Sequence, residues 1–137
     1  RGGTANCTVI ISDERIGAPL VENPTEVVAM NRAALAKFEK RVAPGGTVFV
    51  NSSIIPDKVA REDVTAVYVP CDEIAAELGN AKVANMVMLG AYVAATGALK
   101  RETIETMIRE MFTGKKAKLV PLNLEALERG MACGKPA

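Results

Sequence analysis

The sequence predicts an α/β fold, a doubly wound and mainly parallel sheet covered by helices on both faces. Short β-branched runs alternate with segments whose apolar residues recur three and four apart, the pattern of strands joined by helical crossovers. Right-handed crossovers between parallel strands then make a doubly wound arrangement the simplest topology. The chain has 137 residues, 49% of them hydrophobic, the size and apolar content of one domain. No repeat, linker or low-complexity segment divides it, so residues 1–137 are read as a single domain.

Residues 8–12, Thr-Val-Ile-Ile-Ser, are expected to form a strand, closed by turn residues over 13–17. A short apolar segment at 27–30 leads into a helix with Ala34, Leu35, Phe38 and Val42 on one face. Pro44, Gly45 and Gly46 break that helix, and residues 47–50 form the next strand, followed directly by Asn51, Ser52 and Ser53. A further strand over 65–69 ends at Pro70. Asp72 is then placed to cap a short helix that contains Ile74 and Leu78 and stops at Gly79.

Residues 83–99 carry no charge and are apolar almost all round, as in a helix held between the sheet and another element or chain. The run falls just short of the ~18 residues of a membrane span and contains Asn85, so it reads as a buried helix. Asn85, if buried, needs a hydrogen-bond partner. Gly90 and Gly97, costly inside a helix, imply close backbone approach by a neighbour. Ile104, Met107, Ile108, Met111 and Phe112 then make an amphipathic stripe, with Arg101, Glu102, Glu105, Arg109 and Glu110 on the wet face. A turn at Gly114, Lys115 and Lys116 precedes a last helix, capped by Asn123 and carrying Leu124, Leu127 and Met131, suited to a docking tail. The strand-and-helix order is Rossmann-like.

Composition excludes several functions. The 17 basic and 16 acidic residues leave a formal charge of +1, and no basic stripe alternates with aromatics, so nucleic acid is not an expected partner. Histidine is absent, which removes Ser-His-Asp and Cys-His sites and the usual histidine-bearing metal centres. Cys7, Cys71 and Cys133 lie far apart and odd in number, and read as free thiols in a reducing cytosol. No ferredoxin-type cysteine run occurs, so the chain is expected to hold no iron–sulfur cluster of its own. No charged and then apolar leader is visible at Arg1, and a cytoplasmic location is the expectation.

Two constellations suit an anion. Arg1, Gly2, Gly3 and Thr4 combine a guanidinium, two residues that let backbone amides approach closely, and a hydroxyl. Asn51, Ser52 and Ser53 follow an apolar strand, at the edge where open α/β sheets place their ligands, and Asn31 occupies the equivalent position one strand earlier. The competing reading is plainer: a glycine-bearing chain end in the first case, turn residues or helix caps in the second. Neither G-x-G-x-x-G nor G-x-x-x-x-G-K-[ST] occurs.

Four blocks in order carry a family resemblance: Arg-Gly-Gly-Thr-Ala-Asn-Cys-Thr-Val from Arg1; Val-Val-Ala-Met-Asn-Arg-Ala-Ala-Leu-Ala-Lys-Phe from Val27; Pro-Gly-Gly-Thr-Val-Phe-Val-Asn-Ser-Ser from Pro44; and Ala-Asn-Met-Val-Met-Leu-Gly-Ala from Ala84. Together they resemble the gamma subunit of 2-oxoacid:ferredoxin oxidoreductases. The Arg-Gly-Gly-Thr form looks more like the 2-oxoglutarate and branched-chain members than the pyruvate ones. The resemblance implies a sheet whose first strand and Gly-rich loop precede Arg1, so this chain is expected to be the latter, N-terminally incomplete part of a longer domain.

The resemblance further implies a complex that uses thiamine diphosphate to decarboxylate a 2-oxoacid, iron–sulfur clusters to pass electrons to ferredoxin, and coenzyme A to accept the acyl group. These cofactors would be held mainly by alpha and beta subunits and a ferredoxin-like delta subunit, the hard chemistry lying with the cofactors. Arg1, Gly2, Gly3 and Thr4 would then lie near an anion of the cofactor or coenzyme A, with Asn31, Asn51 and Ser52 lining the strand edge. A homodimer is the form open to the isolated chain. The alternative from another class is a stand-alone anion- or coenzyme-binding module or adaptor without catalysis, since a fold alone does not fix function.

Overall fold

A computed structural model describes residues 5–135. Three parallel strands form the sheet in the order β1-β2-β3: β1 (Glu26–Ala29), β2 (Thr47–Asn51) and β3 (Thr65–Val69). Helix α1 (Arg32–Phe38) crosses from β1 to β2, and α2 (Cys71–Glu77) follows β3. The chain then runs through α3 (Ala84–Thr96), α4 (Arg101–Met111) and α5 (Val120–Ala132).

Alternation along the strands divides the core in two. Val27, Ala29, Val48 and Val50 face α1, where they meet Leu35, Val42 and Ile55. Phe49, Val67 and Val69 face the opposite way, into a larger cluster built by α2, α3 and α5. Phe49 is fully buried and its ring lies 5.5 Å from that of Tyr92 on α3, tilted by 58°, an edge-leaning geometry that aromatic pairs favour. The predicted helices on both faces of a parallel sheet are therefore present.

Helices α3 and α5 approach backbone to backbone. A Cβ at Gly90 would lie 2.1 Å from the Leu127 carbonyl oxygen, and one at Gly130 would lie 1.8 Å from that of Val87. Gly90 thus has the role expected of it. Gly97 does not: with φ of 63° it is the left-handed cap that ends α3, three residues short of the predicted Leu99 boundary, with open space around it.

Other expectations change as well. Residues 8–12 form no strand: they run unpaired, with Val9 78% and Ile11 66% exposed. β-Branched residues favour a strand only where a neighbour supplies the ladder, and among the described residues β1 pairs with β2 alone. The β2–β3 connection holds no helix but an irregular stretch, residues 52–64, tied over the α1 side of the sheet. Asp72 and Asn123 lie inside their helices rather than at the caps, behind Pro70 and Leu119. Asn85 is exposed, so its burial problem does not arise, and of the α4 stripe only Ile104 and Ile108 are buried.

Candidate functional site

Parallel pairing gathers the carboxyl ends of all three strands at one edge. Asn31 lies two residues past the end of β1 and Ser52 one past the end of β2, so both stand at this edge. Asn31 is exposed, and its Oδ1 accepts the Ala34 N–H at 2.8 Å, capping α1. Ser52 is half-buried and donates its N–H to the Val69 carbonyl at 2.9 Å, carrying the ladder one step past β2.

Asn51, the last residue of β2, is only 1% exposed. Its Nδ2 donates to Asp72 Oδ2 at 2.6 Å, whereas its buried Oδ1 has no partner. Ser53 Oγ accepts the N–H groups of Asp72 and Glu73, both at 3.1 Å, and so ties the β2 exit to the start of α2. Beside them, the thiol of fully buried Cys71 is pushed up to about 12 by burial first, then by the neighbouring Asp72 and Cys133. A thiol held protonated in this way is no nucleophile at neutral pH.

The same edge carries an ion pair that spacing along the chain gives no sign of. Arg32, the first residue of α1, donates from Nη2 to Asp57 Oδ1 at 3.0 Å, and its Nε approaches Oδ2 at 2.7 Å, a close ionic contact off hydrogen-bond alignment. Hydrogen bonding to Asp57 raises the Arg32 pKa, and the same contact lowers that of Asp57. The pair fastens the β2–β3 connection to α1. Behind it, Glu39 Oε1 accepts the Ala60 N–H at 2.5 Å and that of Arg61 at 3.2 Å, while Arg61 donates to the carbonyls of Glu39 and Val42.

These contacts decide what the edge can do. The amide oxygen of Asn31 and the hydroxyl oxygen of Ser53 are engaged as acceptors, and the nearby cation, Arg32, is already matched by Asp57. Among the described residues the Asn31 Nδ2 and the hydroxyls of Ser52 and Ser53 donate to no protein group, so the edge keeps hydrogen-bond donors for an anion beside the carboxylates of Asp57 and Asp72. Arg1, Gly2, Gly3 and Thr4 lie outside the described residues. Among the described residues no group of three or more His, Cys, Asp or Glu side chains could hold a metal ion, and no helix is long and apolar enough to cross a membrane.

A parallel sheet covered by helices on both faces, with polar groups at its carboxyl edge, belongs to the broad class of open α/β domains. The particular family follows from similarity. The family description "Pyruvate ferredoxin/flavodoxin oxidoreductase" matches residues 1–133, and the chain belongs to that family. It is 41% identical over 132 residues to the ketoisovalerate oxidoreductase subunit VorA of Methanothermobacter marburgensis, covering 95% of this chain and 27% of VorA. It is 36% identical over 110 residues to the 2-oxoglutarate synthase subunit KorC of Methanocaldococcus jannaschii, covering 79% of this chain and 59% of KorC. The chain thus spans roughly a quarter of one relative and under two thirds of the other.

Among solved structures, the 2-oxoglutarate:ferredoxin oxidoreductase of Magnetococcus marinus, with 2-oxoglutarate, coenzyme A and succinyl-CoA bound, superposes with a TM-score of 0.78 at 24% identity, over 90% of this chain and 22% of that one. The gamma subunit of a keto/oxoacid ferredoxin oxidoreductase from Geobacter sulfurreducens gives 0.72, also at 24% identity, over 80% and 63%. The resemblance read from the four sequence blocks is borne out. The curated relatives are also of the two types, branched-chain and 2-oxoglutarate, that the Arg-Gly-Gly-Thr form suggests.

Proposed function

We propose that this chain is the gamma-type, non-cluster part of a cytoplasmic, thiamine diphosphate-dependent 2-oxoacid:ferredoxin oxidoreductase acting on 2-oxoglutarate or a branched-chain 2-oxoacid. Alpha and beta subunits, with a ferredoxin-like delta subunit, hold the thiamine diphosphate and the clusters. This chain supplies scaffold and one wall of the cofactor or coenzyme A pocket, with Arg1, Gly2, Gly3 and Thr4 near the anion and Asn31, Asn51 and Ser52 along the strand edge. The observation that carries the reading is the family match over residues 1–133.

A second feature supports a subunit over a stand-alone module. Met107 is 49% exposed and Met111 65%, and both line one apolar groove with Leu99, apolar surface that an assembly would cover. The test is affinity purification of the full-length gene product from its native cells, followed by coenzyme A-dependent viologen reduction with 2-oxoglutarate, pyruvate and 3-methyl-2-oxobutanoate. Larger subunits are expected to co-purify with activity on one acid. A solitary, inactive and monodisperse protein returns the reading to a binding module.

A further inference from the structure

Helix α4 buries only part of its apolar stripe. Ile104 and Ile108 are covered, whereas Met107 and Met111 stay exposed, as does Leu99 in the link before the helix. These residues line an apolar groove of about 270 Å³ between α3 and α4. A second hollow of about 190 Å³ continues it past Met86 and Met111, which line both, toward Phe112 and Leu119. Asn80, Lys82 and Asn85 edge that far end. Each hollow is smaller than the roughly 300–1,000 Å³ of a small-molecule pocket, and no charged side chain lines the first to orient such a ligand. A methionine-lined groove of this kind suits the apolar side chains of a helix instead.

Charge decides what kind of helix. No aspartate or glutamate occurs over residues 78–101 or 111–124, the stretches that wall the groove on the α3 side and at its far end. Lys82 stands there with Lys115, Lys116 and Lys118 of the turn Gly114–Leu119, all exposed and in no ion pair among the described residues. The acids of α4 itself, Glu102, Glu105 and Glu110, are accompanied by Arg101 and Arg109, and Glu105 is held by Arg101. We propose that the groove seats an acidic amphipathic helix of a partner subunit, its apolar face on Leu99, Met107 and Met111 and its acids over Lys82, Lys115, Lys116 and Lys118. This deepens the subunit reading above and rests on it. The 11 residues of α4 extend about 16 Å at about 1.5 Å each, so the partner helix contributes about three turns, with apolar anchors at i, i+3 or i+4, and i+7.

The test uses the full-length gene product together with the subunits that co-purify. Met111 is replaced by the photo-reactive p-benzoylphenylalanine, and the irradiated complex is digested and read by mass spectrometry. Position 111 is expected to join a co-purifying subunit at a segment with apolar residues three and four apart and acids toward one end. Attachment to a second copy of this chain, to a segment without that pattern, or to nothing overturns the proposal. Met107→Glu is expected to weaken association with that subunit about tenfold. Lys115→Glu, Lys116→Glu and Lys118→Glu combined are expected to slow association about tenfold at low salt and to lose that effect at high salt. All four side chains are exposed, so both variants should keep the wild-type circular dichroism, and wild-type association of either overturns the proposal. A complex that turns over substrate with position 111 unlinked removes this inference alone, whereas a solitary, inactive product removes the subunit reading with it.

Discussion

The two faces of the sheet are covered by opposite means. On one, α2, α3 and α5 pack apolar side chains against Phe49, Val67 and Val69, and α3 meets α5 with glycine against backbone. On the other, one seven-residue helix shares the cover with residues 52–64, held by Arg32, Glu39, Arg61 and the Tyr68 hydroxyl, which accepts the Val59 N–H at 3.0 Å. The first face rests on shape and exclusion of water; the second adds to a smaller apolar cluster directional contacts that water and protons compete for. The difference teaches where each face is most exposed to change: the helical face at the glycine contact between α3 and α5, and the strapped face where a charge that holds residues 52–64 is lost.

The largest expected effect is therefore at the α3–α5 contact. Gly130→Ala places a methyl 1.8 Å from the Val87 oxygen, and both partners are backbone, so the helices must separate. Overpacking of a core commonly costs 1–3 kcal/mol, and backbone clashes exceed that; about 3 kcal/mol or more is expected, read as a fall in thermal midpoint or as insoluble product. A Gly130→Ala chain with wild-type stability would mean that the two helices are not locked, and the contrast between the faces would collapse.

Next in size is alkaline destabilisation of the helical face through Cys71. Its folded pKa is raised from 9.0 to about 12, so the folded state keeps the proton longer than the unfolded one. The sign follows: this contribution is complete below pH 9 and is lost as the pH climbs toward 12. Denaturant midpoints measured from pH 8 to pH 11 are expected to fall in wild type and to flatten in Cys71→Ala. A thiol reagent at neutral pH is expected to modify exposed Cys7 first and Cys71 only on unfolding.

Legibility from sequence follows the same division. The helical face could be read because its signals are local: the apolar run at 83–99, the stripe on α4, and Gly90 standing inside a helix. The strapped face could not, because Arg32 finds Asp57 across 25 positions and Glu39 finds Ala60 across 21, and no periodicity marks such a pair. The candidate site was half legible. Strand-end placement of Asn31, Asn51 and Ser52 follows from parallel pairing, whereas the direction in which Asn51 turns its amide depends on Asp72, which the sequence offers only as a cap. Residues 8–12 misled because β-propensity reports fitness for a ladder without reporting whether a partner strand is present.

A smaller effect should appear in acid on the strapped face. Hydrogen bonds from Arg61 and Arg32 hold Asp63 and Asp57 below the ordinary 3.8, so their contribution is present above that pH and disappears as the pH falls through the lowered values. Both pairs are open to water and to salt, which screens them. Hydrogen exchange at pH 3 is expected to rise first over residues 52–64, while α3 and α5 stay protected, and Arg61→Ala is expected to produce the same pattern at neutral pH. Loss of protection in α3 before residues 52–64 would reverse the assignment of weak and strong faces.

The smallest effect tests the outer limit of the helical face. Met86, Leu89, Leu99, Ile104, Met107 and Met111 line an apolar groove of about 270 Å³ between α3 and α4, yet Met107 is 49% exposed and Met111 65%. A side chain already half in water loses little when made polar, so Met107→Gln and Met111→Gln are each expected to change stability by no more than about 0.5 kcal/mol. Chemical denaturation of the separated chain reads this directly. A loss above about 2 kcal/mol, the scale of emptying a buried methionine site, would mean that α4 closes onto α3 in solution, extending the glycine-locked layer to a third helix.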